Sequence, residues 1–229
     1  MLPLAENQPL SQVGGRYHRV PHDRVGHIAA FKETDDYVYW AGDATNAYET
    51  VTYLERFRRH VLFVKNKYFV ILDDLATDPA HEPGKFQWLY HVYPDASLKM
   101  DGSKAQFEYQ IGGTRVKVKH IAGSDALVCE DRSGIDGLVN PITDDDYRKF
   151  GNDGVLFQHN IWVSNASPTN EFQFLTVVFP YKDGDPEPII TGLDDMTVKV
   201  QYGAESDIIS CDPASPHKPD IVVDYKSLR

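Results

Sequence analysis

The stretch from Tyr37 to Ala76, YVYWAGDATNAYETVTYLERFRRHVLFVKNKYFVILDDLA, decides the fold class. It contains three segments rich in aromatic and β-branched residues, YVYWA, FRRHVLFV and YFVILDDL, and such residues favour strands because they pack well on a pleated surface. Between the second and third segments, Lys65-Asn66-Lys67 has the length and composition of a hairpin loop. The stretch therefore predicts three successive antiparallel strands.

The middle segment carries positive charge in an apolar setting. On a strand from Phe57 to Val64 the side chains alternate, so Arg58 and Arg59 lie on opposite faces that both also carry apolar residues. We expect such a strand to be covered on both sides, where an unpaired buried charge is costly. At least one arginine is therefore predicted to tie neighbouring strands together while the other faces outward. The nearest carboxylates are Asp43, Asp73 and Asp74. The alternative is a site that grips the carboxylate of an acidic sugar.

The rest of the chain repeats the same pattern of short apolar or alternating segments between turn signals. It predicts an all-β protein, a large antiparallel β-sandwich of about 12 or more strands with little or no helix. Residues 1–23 form an expected lead-in segment, and residues 24–229 form a single domain. Residues 131–155, rich in charge, Gly and Pro, are predicted to be a long loop within that domain.

Composition excludes several functions. The formal net charge of -11 disfavours a general affinity for nucleic acid or anionic membrane. No run approaches the roughly 18 apolar residues of a membrane span, and the first ten residues do not resemble a signal peptide. Cys129 and Cys211 are too few for a disulfide framework and leave the redox compartment open.

Two further groups of residues are candidates for contacts with a ligand or a metal ion. His18, His22 and His27 are weak metal candidates, because Pro21 argues against the helix that their spacing would need, so no metal is predicted. In the segment FQWLYHV the aromatic residues alternate onto the expected core face, which leaves His91 on the other face within reach of a ligand. Trp88 is kept as a candidate sugar contact, since tryptophan rings stack on sugar faces.

An ordered set of motifs carries a family resemblance. Gly26-His27-Ile28 is followed by YVYWAGDATNAYE, RRHVLFV, YFVILDDL and WLYH, and this order resembles the C-terminal β-sandwich region of heparinase II/III-like polysaccharide lyases. The later segment FLTVVFPYKDGDPEPIITGLDD is similar to the closing strands of that region. The likeness covers roughly residues 14–210.

The resemblance implies a glycan function. Such lyases cleave uronic-acid polysaccharides by β-elimination, with an N-terminal helical domain and a zinc-bearing segment supplying most of the catalytic groups. This chain matches neither part, so we expect a C-terminal module that needs the helical domain of its parent protein, has no cofactor and contacts an acidic polysaccharide. By the same resemblance the location is periplasmic or secreted. Asp43 and Thr45 carry over as structural residues, and His91 as a residue facing the cleft.

Three alternatives stay open. The first is a free-standing carbohydrate-binding sandwich. The second is a purely structural or oligomerising domain, in which case the chain forms homo-oligomers. The third is an autonomous lyase that uses Tyr48 and His91 as base and acid and Arg58 or Arg59 as the carboxylate clamp.

Overall fold

The computed structural model describes residues 26–47, 53–92, 96–101, 105–121, 127–131, 159–212 and 222–228. These residues form fifteen strands and one turn of 3-10 helix, Thr45–Ala47, which confirms the predicted all-β class. No helix in these ranges is long and apolar enough to cross a membrane. The strands are β1 His27–Glu33, β2 Tyr37–Asp43, β3 Leu54–Val64, β4 Tyr68–Thr77, β5 Gln87–Val92, β6 Ser97–Asp101, β7 Gln106–Ile111, β8 Thr114–His120, β9 Leu127–Asp131, β10 His159–Asn165, β11 Glu171–Lys182, β12 Ile189–Asp194, β13 Thr197–Tyr202, β14 Glu205–Asp212 and β15 Val222–Leu228.

The strands pair into three antiparallel sheets. The largest has eight strands in the order β1-β2-β3-β4-β11-β8-β7-β6, and the others are β5-β10-β9 and β12-β13-β14-β15. The opening stretch supplies β2, β3 and β4, which are neighbours as predicted. Their hairpin turns at Asn66, which has a positive φ of 61°. Strand β11 then joins β4 to β8 near the middle of the large sheet.

The large sheet is the middle layer of three, because both of its faces contribute to a core. On β11, Leu175 and Val177 belong to the core shared with the four-stranded sheet. Phe174, with the opposite parity, belongs to the core shared with the three-stranded sheet. Alternation along one strand thus fills two cores at once. A polar tie joins two layers, since the Tyr68 hydroxyl donates a 2.8 Å hydrogen bond to buried Asp207.

Two strands escape the sequence pattern. β6 has no fully buried residue, and β12 has one, Ile190. The alternation of β6 rests on two partly buried residues, Leu98 and Met100, in a strand of five residues. The predicted loop at 131–155 lies outside the described residues apart from Asp131, where β9 ends. The lead-in at 1–23 also lies outside them.

Candidate functional site

The two predicted arginines are fixed by strand register. Arg58 lies opposite Asp43, and its Nε donates a 2.9 Å hydrogen bond to Asp43 Oδ2. Arg59 lies opposite Asp73 and donates from Nε at 2.6 Å and from Nη2 at 2.9 Å to its two carboxylate oxygens. Both arginines therefore tie strands together, and the expectation that one of them only faces outward is corrected. Arg59 nevertheless keeps 48% of its side chain exposed.

A third pair completes the set. Arg56, which the sequence interpretation did not single out, lies 2.5 Å from Asp74 through its Nε. Gln173 on β11 donates a 3.1 Å hydrogen bond to the same carboxylate. Each of the three aspartates in the opening stretch thus contacts one arginine. Asp74 and Asp73 are both buried, which explains why arginines stand in an apolar strand.

Asp43 also organises the turn after β2. Its Oδ1 accepts a 2.9 Å hydrogen bond from the amide of Thr45, and the Thr45 hydroxyl accepts one from the amide of Phe57. Burial acts to raise the pKa of the Asp43 carboxyl, but the Arg58 guanidinium and the Thr45 amide outweigh it and hold that pKa below its usual value. Asp43 and Thr45 thus hold the turn after β2 against Phe57 and Arg58 of β3.

A pocket of about 560 Å³ opens beside these pairs, on the face of β1, β2 and β3 that carries Arg59. We name it the Gly42 pocket. Its described lining residues come from the start of β1, the end of β2 and the first half of β3: Gly26, His27, Ile28, Gly42, Asp43, Ala44, Phe57 and Arg59.

Gly42 lies on β2, the middle one of the three strands that line the pocket, and its lack of a side chain leaves the space open. Ile28, Gly42 and Arg59 are partners across three strands, so they share one face. A Cβ placed on Gly42 would have no atom of the described residues within 4 Å. Isolated glycine inside a strand weakens it and often marks a place where a ligand approaches. That signal was present in the sequence and would have found the site.

His91 and Trp88 do not join this pocket. Trp88 is 3% exposed and stacks on Tyr90, so it offers no ring face to a ligand, and its predicted sugar contact is not supported. His91 is exposed on the face of β5 opposite Trp88, and its Nδ1 lies 2.7 Å from Asn160 Oδ1. The three-stranded sheet thus carries His91, whereas the large sheet carries Arg59.

The predicted base and metal candidates are only partly described. Tyr48, His18 and His22 lie outside the described residues. His27 is exposed and lines the Gly42 pocket. Within the described ranges, no three His, Cys, Asp or Glu side chains come together in a way that fits a metal ion.

One histidine was missed altogether. His120, at the end of β8, is fully buried between Trp88 and Phe174, and its Nδ1 lies 2.8 Å from the Thr176 hydroxyl. The Trp88 ring stands nearly perpendicular to it at 4.8 Å between centroids. Burial without a charged partner lowers the pKa of His120 to about 3, so the imidazole is neutral at ordinary pH. Its place makes it a core residue.

Comparison with known proteins identifies the family. The family described as "Heparinase II/III-like, C-terminal" matches residues 7–151, more than half of the 229-residue chain. The chain belongs to this family, as the ordered motifs around the Gly-Asp-Ala-Thr turn indicated. No curated protein matches the chain.

Solved structures share the fold. A mutant of the heparan sulfate lyase HepC from Pedobacter heparinus superimposes with a TM-score of 0.59 at 13% identity and covers 81% of this chain. A heparinase III, the BT4657 gene product, gives a TM-score of 0.56 at 13% identity and covers 89%. The chain spans only 27% and 28% of the length of these two proteins. At such identities the likeness shows the fold alone.

Proposed function

We propose that this chain is the C-terminal module of a polysaccharide lyase that acts on uronic-acid polysaccharides by β-elimination. The observation that carries the proposal is the family match over residues 7–151. The module contributes glycan contacts and is inactive without a helical catalytic domain. The proposal includes a periplasmic or extracellular location, because a lyase would encounter its polysaccharide substrate there.

The chemistry of β-elimination supports the division of labour. The reaction requires neutralisation of the uronate carboxylate, a base for the C5 proton and an acid for the leaving oxygen. Arg59 suits the first requirement, since a guanidinium pairs with carboxylates. Among the described residues lining the Gly42 pocket, His27 is the one side chain suited to proton transfer near neutral pH, while Asp43 is held by Arg58. A base and an acid are both needed, so these residues alone are insufficient.

Incubation of the isolated chain with oligosaccharides of heparan sulfate, alginate and chondroitin sulfate tests the proposal. We expect binding by calorimetry to at least one of them, and no growth of the ultraviolet absorbance of an unsaturated uronate. Steady formation of that product by the isolated chain would show an autonomous lyase instead. Failure to bind any acidic oligosaccharide would remove the glycan function.

A free-standing carbohydrate-binding domain is the second candidate, and the open Gly42 pocket favours it. The two candidates are distinguished by whether the chain acts together with a helical catalytic domain. A lyase module raises turnover when it is supplied with the helical domain of its parent protein, whereas a free-standing binding domain leaves turnover unchanged. Light scattering addresses the structural alternative, which expects a stable oligomer and no glycan binding.

A further inference from the structure

We propose that the Gly42 pocket binds a single uronate ring of the glycan, with the ring carboxylate on Arg59, and that Gly42 admits the ring. This inference rests on the proposed function and deepens it by assigning a subsite to named residues. The pocket volume of about 560 Å³ lies within the range of sites that hold small ligands.

The cation of this site is positioned in advance. Asp73 is 2% exposed and binds Arg59 through both carboxylate oxygens, which fixes the plane of the guanidinium. Nearly half of the Arg59 side chain is exposed, and it forms part of the pocket wall. A guanidinium held in one orientation loses little conformational freedom when a planar carboxylate docks on it.

The charge on the pocket face of β2 and β3 suits an anion despite the acidic chain. Asp43 also lines the pocket, but its carboxylate pairs with Arg58 at 2.9 Å on the face opposite Arg59. Phe57, Gly42 and Arg59 share the pocket face of these strands, and Arg59 is the charged residue among these three.

Apolar walls complete the match to a sugar ring. Phe57 and Ile28 line the pocket, and Ile28 is 66% exposed although it is a large apolar residue. The C–H face of a pyranose packs against such side chains while its carboxylate and hydroxyls face polar groups. An apolar wall on one side and polar groups on the other would together orient a uronate ring in a site of this size.

Glycine at position 42 has no local structural reason. Gly42 does not have a positive φ, and no other residue in the described part of the chain comes within 4 Å of a Cβ built on it. A larger residue would suit the strand better, because glycine in a strand interior is unfavourable. The remaining role is to keep the pocket open, so a side chain here should cost binding and not stability.

Two substitutions with matched controls test the assignment. Gly42→Val fills the pocket, and Arg59→Lys keeps the charge but loses the planar fork. Gly113→Val and Arg115→Lys are the controls: Gly113 also has empty space around a built Cβ, and Arg115 also pairs with an aspartate, but both are remote on β7–β8. Calorimetry uses the acidic oligosaccharide that the wild-type chain binds best, and the same oligosaccharide with its carboxyls reduced to alcohols.

We expect both pocket variants, and the reduced oligosaccharide on the wild type, to bind at least about tenfold more weakly, as the loss of a charge-assisted contact predicts. The controls should stay within about twofold, and the melting temperature of Gly42→Val should not fall. Unchanged affinity in the pocket variants would overturn the subsite and leave the glycan function standing. If the wild type bound no acidic oligosaccharide, the proposed function itself would fail.

Discussion

Asp73 is a carboxylate with 2% of its side chain exposed, and its partner Arg59 is half in water. A buried ion pair contributes little compared with a well-packed apolar pair, but removal of one partner leaves an uncompensated charge. The three arginines of β3 are thus required by the three aspartates rather than being independent stabilisers. This interdependence can be measured.

Arg59→Ala is expected to lower the free energy of unfolding by about 2–3 kcal/mol, below the usual cost of breaking a fully buried pair because Arg59 is half exposed. Urea denaturation measures it. The double variant Arg59→Ala/Asp73→Ala should recover part of the loss, because no buried charge remains. Lys65→Ala is the control and should leave stability nearly unchanged, since the side chain of its partner Glu33 is 58% exposed. An equal drop in the free energy of unfolding in Arg59→Ala and in the control variant would contradict the argument.

His120 gives the fold a sensitivity to acid. Its pKa is about 3 in the folded chain and about 6.5 when unfolded, so the unfolded chain binds the extra proton between these values. The free energy of unfolding is therefore highest above about pH 6.5 and falls as the pH drops toward 3. At pH 5 the loss due to His120 is about 2 kcal/mol.

The double variant His120→Leu/Thr176→Val removes this titration together with its hydrogen-bond partner. Urea denaturation of the wild type and the variant at pH 7.5 and pH 5 should show a smaller difference between the two pH values in the variant. Thr176→Val alone should keep the acid sensitivity. A wild type that is equally stable at both pH values would refute the assignment.

At the scale of elements, alternation predicted most strands because they bury one or both faces. It failed for β6 and β12, which between them bury one residue completely, Ile190. The carboxylates of the site were found because they stand on neighbouring strands, but the choice of partner needed the register. Arg58 takes Asp43 and Arg59 takes Asp73, and nothing local in the sequence distinguishes these pairings.

The β3–β4 hairpin depends on one residue. Asn66 has a φ of 61°, and the Lys67 amide closes the turn with a 3.0 Å hydrogen bond to the Val64 carbonyl. Asparagine tolerates this left-handed region, whereas a β-branched residue does not. Asn66→Val should lower the free energy of unfolding by about 1–2 kcal/mol, and Asn66→Gly by less than about 0.5 kcal/mol, by chemical denaturation. Similar losses for both would point to a lost side-chain contact instead.

At the scale of the molecule, sequence pattern predicted a sandwich and the chain forms three layers. Alternation indicates which side chains share a face, but not which sheet covers that face. Alternation put Trp88 on the core face, and it lies in the core shared with the three-stranded sheet, so its candidacy as a sugar contact rested on residue type alone. The Gly42 pocket was missed because its centre is an absent side chain, which a search for reactive residues passes over.

The family match ends at residue 151, but the fold does not divide there. Strand β11, Glu171–Lys182, lies between β4 and β8 in the large sheet and supplies side chains to both cores. A chain truncated after residue 151 is therefore expected to show no cooperative thermal transition and poor dispersion of amide resonances, whereas the full chain shows both. A cooperative transition in the truncated chain would contradict the central place of β11.

The position of β11 also sets an order in time. During synthesis β4 and β8 leave the ribosome long before the strand that joins them, and residues as distant in sequence as Val70 and Val177 must meet before the large sheet is continuous. Such distant pairing is slow, and open strand edges attract other chains while it is awaited. The yield of soluble protein should therefore depend on growth temperature and on chaperones more than on the stability of the finished fold.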